Sequence, residues 1–79
     1  MKLTYDPKYN VAYIHLLDKT AEVETVRVSD ELNVDLTPDG TVFGIELLNA
    51  NRQLSADRLG RLIVVNEQSG ESAEVKLPV

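Results

Sequence analysis

Leu32-Asn33-Val34-Asp35-Leu36-Thr37-Pro38-Asp39-Gly40-Thr41-Val42-Phe43-Gly44-Ile45-Glu46-Leu47-Leu48 carries the clearest structural signal in the chain. Residues 32 to 36 alternate, three apolar side chains one way and Asn33 and Asp35 the other, which is the period of a strand with one wet face. Thr37-Pro38-Asp39-Gly40 then supplies turn chemistry. Pro38 suits the second position of a type I turn, and Gly40 suits the left-handed residue that often follows. Thr41 to Leu48 is expected to return antiparallel beside Leu32 to Leu36. The register depends on the loop. With three loop residues Val34 faces the same side as Gly44; with four it sits opposite Phe43, and Leu32 meets Ile45. The apolar pattern favours four, whereas the turn chemistry favours three with a bulge at Gly40.

Toward the N-terminus, Leu3-Thr4-Tyr5 can open a strand, and Asp6-Pro7-Lys8-Tyr9-Asn10 reads as a turn in which Asn10 tolerates a left-handed backbone. From Val11 to Leu17, Ala12, Ile14 and Leu16 share one strand face and Val11, Tyr13, His15 and Leu17 the other. Asp18-Lys19-Thr20 reads as a polar turn. Glu22 to Val28 alternates charged and β-branched residues, a strand with a solvated face, and Ser29-Asp30-Glu31 breaks it.

Toward the C-terminus the period changes after Asn49-Ala50-Asn51. Ser55 as N-cap, Asp57 in a first turn, and Leu59, Leu62 and Ile63 at helical spacing predict a short helix over about Ala56 to Leu62, weakened by Gly60. Leu62-Ile63-Val64-Val65, the Ser69-Gly70 turn and the alternation from Ala73 to Leu77 predict a C-terminal hairpin, packed on the main sheet or exchanged with a second copy. The fold expected is mainly β (α+β): an antiparallel meander of about five strands with a short helix and a C-terminal hairpin.

The totals bound the rest. Seventy-nine residues make one domain, 1–79, and 43% hydrophobic with 27% charged residues is an ordinary globular balance without a membrane span. A chain this short usually needs a staple, yet it has no cysteine and His15 is its one histidine. Association with a second copy is the staple left, so a homodimer is expected. Thirteen acids against eight bases give a net charge of -5, which repels phosphate backbones and disfavours direct nucleic-acid binding. Met1 to Tyr5 is not followed by an apolar leader core, and the lack of cysteine fits a reducing compartment, so a cytoplasmic location is expected.

Four ordered motifs, Leu3-Thr4-Tyr5-Asp6-Pro7, Ala12-Tyr13-Ile14, Val34-Asp35-Leu36 with Asp39-Gly40, and Gly44-Ile45-Glu46-Leu47-Leu48, resemble the small bacterial domain-of-unknown-function 2283 family. The resemblance covers about 1–54, and 55–79, read as helix and hairpin, rests on the residues alone. The family commonly has an acidic residue where this chain has Asn10, Thr37 and Asn49, and often a basic one where it has His15. The resemblance implies no established activity. It does imply a partner class, since some members look like antitoxins encoded beside a small ribonuclease-like toxin.

Chemistry-bearing candidates are few. His15 could act as a general base oriented by Asp35 or Glu46, but a lone strand histidine is far more often a surface residue. Asp30, Glu31, Asp35 and Asp39 form an acidic run without EF-hand spacing, better explained as solvated turn and strand charges than as a cation site. Tyr5, Tyr9 and Tyr13 crowd the first hairpin, as interface residues or as caps on a small core. Arg52, Arg58 and Arg61 concentrate positive charge, with Arg58 and Arg61 three apart on the expected helix. There is no nucleophile elbow, phosphate-binding glycine loop or thiol nucleophile. No cofactor, metal or catalytic residue is assigned. The leading expectation is a non-enzymatic protein-interaction module, a homodimer with an antitoxin-like role toward a basic toxin. The alternative is a small ligand-binding domain or enzyme using a His15, Asp35 and Glu46 surface.

Overall fold

The computed structural model describes residues 1–17 and 22–79, so the expected turn at Asp18-Lys19-Thr20 lies outside the described residues. Five strands, β1 (Lys2–Asp6), β2 (Val11–His15), β3 (Glu24–Ser29), β4 (Leu32–Leu36) and β5 (Val42–Leu48), form one antiparallel sheet. A short helix, α1 (Ala50–Leu54), follows, and then a separate two-stranded hairpin of β6 (Arg61–Val65) and β7 (Ser72–Lys76). No helix among the described residues is long and apolar enough to cross a membrane.

The sheet is antiparallel and five-stranded as expected, but its order is β1-β2-β5-β4-β3. Strands β3 to β5 form a meander whose last strand closes against β2, a Greek-key order in place of a plain meander. The residues account for this. Strand β2 is half-buried or buried along its whole length and takes an inner place, while β3, with Glu24 and Arg27, is exposed at all six positions and takes the edge.

The central hairpin takes the expected three-residue loop, Pro38 to Gly40, with Gly40 as the left-handed bulge residue, but the register beyond it is not the one that loop alone implies. Gly40 N–H donates to Thr37 O at 2.9 Å, with Gly40 at φ 87°, and Thr37 N–H donates to Thr41 O. The register then shifts between Asp35 and Leu36: Leu36 pairs with Val42, Asp35 with Gly44, Val34 with Ile45 and Leu32 with Leu47. The extra residue is Phe43, whose carbonyl accepts from Leu16 and Leu17 N–H. A second bulge, in β5 at Phe43, thus moves Val34 from Gly44 to Ile45 and aligns the apolar residues of both strands while the Gly40 turn is kept.

This register segregates the two sides of the sheet. Across the strands, Leu3, Ile14, Ile45, Val34 and Val26 form one row, and Tyr5, Ala12, Leu47 and Leu32 the next. On the opposite side the rows are Lys2, His15, Gly44, Asp35 and Thr25, and Thr4, Tyr13, Glu46, Asn33 and Arg27. One side is apolar and the other polar.

The helix lies earlier than expected, at Ala50–Leu54, and Ser55 is its C-cap, not an N-cap. Asn10 holds it in place. Left-handed at φ 56°, it offers its carbonyl to Ala50 N–H at 3.0 Å and its side-chain oxygen to Asn51 N–H at 2.9 Å, while its amide donates to Asn49 and Asn51. Gln53 fastens the other side by donating to Glu31 O and Leu48 O, and Ala50 is buried as α1 packs on β2. Downstream, Arg58 and Gly60 both have positive φ, which stops a helix there, and the Asp57 carboxylate accepts from Leu59 N–H in a local turn. Arg58 and Arg61 therefore share no helical face.

Candidate functional site

The polar side of the sheet gathers the chemistry-bearing side chains. His15, Asp35 and Glu46 all stand on it, as strand parity and the bulge require. Their hydrogen bonds, however, run elsewhere. His15 Nε2 lies 3.3 Å from Thr4 Oγ1, Glu46 accepts from Asn33 Nδ2 at 2.9 Å, and Asp35 accepts from Tyr13 Oη at 2.6 Å and from Thr25 Oγ1 at 2.5 Å. Among the described residues no hydrogen bond joins His15 to either carboxylate. The orienting contact that a general-base histidine uses is not the one made here.

Tyr13 is the centre of this face. It pairs across β2 and β5 with Glu46, yet its hydroxyl reaches Asp35 on β4, one strand farther and one row along. That reach is possible because the neighbour beneath the ring is Gly44. A Cβ at Gly44 would lie 2.5 Å from Tyr13 Cζ, so only glycine lets the ring lie down across β5. The His15 ring packs against the same tyrosine, with centroids 4.5 Å apart and planes tilted by 58°. Burial first, then the hydrogen bond to Asp35 and the negative charges of Asp35 and Glu46, raise the Tyr13 pKa far above the ordinary phenol value. Tyr13 is thus a fixed donor that clamps β2 to β4, and Asp35 has its two oxygens occupied by hydroxyls.

The remaining candidates disperse. Asp30 pairs with Arg27 at 2.5 Å, and Glu31 with Arg52 at 2.9 Å. Asp39 sits in the turn, accepting from the Thr37 hydroxyl and from Thr41 N–H, and these bonds lower its pKa, the Thr37 bond most. Among the described residues no group of three or more His, Asp or Glu is placed to hold a metal ion. Arg61 pairs with Glu74 across the hairpin, so the arginines serve three separate places. Tyr9 is exposed with Lys8 Nζ 5.3 Å above its ring, and Tyr5 lies 3.5 Å from Asn10 Oδ1.

The apolar side contributes the other candidate surface. A groove of about 950 Å³ opens where β1 and β2 meet the C-terminal hairpin, lined by Leu3, Tyr5, Ile14, Leu62, Val75 and Leu77 among others. Sequence reading identified these residues as strand formers but not as a groove, because the groove depends on where the hairpin lies. The Tyr13–Asp35 pair was missed as well, although a glycine inside the apolar run of β5 marks a close approach.

No curated protein and no solved structure matches the chain. The model of the family described as Protein of unknown function (DUF2283) matches residues 2–51, the whole five-stranded sheet and the start of α1, and the chain belongs to that family.

Proposed function

We propose that the chain is a non-enzymatic protein-interaction module that works as a homodimer, with an antitoxin-like role toward a small basic protein as its most concrete form. The observation that carries this reading is unspent apolar surface. Only Ala12 and Ala50 are buried hydrophobic residues among those described, and the accessible surface is 6152 Å². A compact monomer of 8.8 kDa exposes about 4,800 Å² by the usual scaling, an excess of roughly 1,300 to 1,400 Å² per chain. A dimer interface covers that much on each partner. The net charge of -5 favours a basic partner through long-range attraction.

The rival reading, a ligand site or enzyme on the His15, Asp35 and Glu46 face, draws support from their shared side of the sheet. It is the weaker one, since both carboxylates bond to neighbours other than His15. Co-purification with the product of the neighbouring gene tests the partner class. A small basic toxin retained at micromolar concentration is expected. A neighbour that is no toxin and does not bind refutes the antitoxin form.

A further inference from the structure

The hairpin of β6 and β7 is a surface without a core. All ten of its residues are exposed, and its one internal ion pair is Arg61 with Glu74. A lone two-stranded hairpin is marginal in water and needs an apolar surface to lie on. The pairing of Leu62 with Val75 and of Val64 with Ala73 puts four apolar side chains on one face of it. Arg61, Ser72, Glu74 and Lys76 fall on the other, with Ile63 and Val65. Leu62 and Val75 line the groove against β1 and β2 and yet stay 47% and 54% exposed, and Val64, farther along the same face, stays 55% exposed. The chain's own sheet does not cover this face.

The apolar side of the sheet is in the same condition at its other end. The row that begins at Leu3 finishes at Val26 on the edge strand β3, which is 41% exposed. One molecule therefore holds both an uncovered apolar arm and an uncovered apolar sheet edge. The two are complementary in chemistry, and a two-fold axis that brings one arm to one sheet brings the other pair together as well.

We infer that two copies of this chain exchange arms: the β6–β7 hairpin of each protomer lays Leu62, Val64, Ala73 and Val75 on the apolar sheet side of its partner, toward Val26 and Val34. This rests on the dimer reading above and specifies its contact. The exposed excess of each chain, doubled, gives roughly 2,700 Å² of interface, within the range of obligate homodimers. Apolar contact also suits two chains that each carry -5, because an interface built from charged surface would set like charges together.

The test uses the absence of cysteine. Ser72→Cys places one thiol on the polar face of the arm, where a nitroxide label leaves the apolar face untouched. Labelled chain is mixed and exchanged with an equal amount of isotope-labelled chain that carries no nitroxide. Half of the isotope-labelled chains then face a nitroxide partner, so the inference predicts an intensity loss approaching twofold at the β3 and β4 amides of the isotope-labelled chain, relative to the reduced label. A second variant, Val64→Asp, is predicted to weaken dimerisation about a hundredfold, while the amide shifts of β1 to β5 stay in place. A dimer without intermolecular loss at β3 and β4, or one that Val64→Asp leaves equally tight, overturns the arm exchange and leaves the dimer standing. A sample that is monomeric throughout overturns both.

Discussion

Gly44→Ala tests the polar face most sharply. Gly44 is not among the residues with positive φ, so its backbone accepts alanine, and an alanine inside a strand is ordinarily worth about 0.5–1 kcal/mol over glycine. Here the added methyl meets the Tyr13 ring, with Cζ only 2.5 Å away, and the tyrosine must lift off β5. Lifting it breaks the 2.6 Å bond to Asp35, a hydrogen bond to a charged acceptor worth about 1.5–3 kcal/mol. The net expectation is a loss of about 1–2 kcal/mol, or roughly 4–16 °C in melting temperature. With Tyr13→Ala already present the clash is gone, and Gly44→Ala should stabilise by about 0.5–1 kcal/mol. Urea unfolding of the four proteins at one concentration measures this cycle. If Gly44→Ala has the same sign and size in both backgrounds, the ring does not lie on Gly44 as described.

Three further outcomes follow from the same contacts. The Tyr13 phenol is raised above its unfolded value of 10.0, so on going alkaline the unfolded chain loses this proton first. Its contribution to stability is then complete below about pH 10 and falls as pH climbs toward the folded pKa. Urea midpoints between about pH 9 and 11 should drop more steeply for the native chain than for Tyr13→Phe, and equal slopes would contradict the shift. Asn10→Ala should cost about 2–3 kcal/mol, from the left-handed φ and the lost bonds to α1, and Asn10→Gly clearly less, because glycine keeps the backbone at ease. Glu46→Gln, whose partner Asn33 can bond an amide as well, should change stability by less than about 1 kcal/mol in the same urea assay.

Much of the sheet was legible because strand periodicity and turn chemistry are local. The alternation from Leu32 to Leu36, the Pro38–Gly40 turn and the left-handed Asn10 each act within a few residues, and each stands where the sequence places it. What escaped depends on non-local contacts. The bulge at Phe43 arises only because the turn and the apolar rows must both be satisfied across two strands. The helix moved to Ala50–Leu54 because Asn10, forty residues earlier, supplies the partners for its first turn. That His15, Asp35 and Glu46 share the polar face depends on the register of the central hairpin, which the sequence leaves open between two loops. Parity cannot reveal that Tyr13 crosses a strand to take Asp35, since that depends on the ring finding a glycine under it.

Sedimentation velocity over a dilution series reads the association of the chain directly. The unspent apolar surface predicts a species of twice the 8.8 kDa chain mass at micromolar concentration, dissociating only on further dilution. A single 8.8 kDa species persisting at high micromolar concentration would contradict the account at its base.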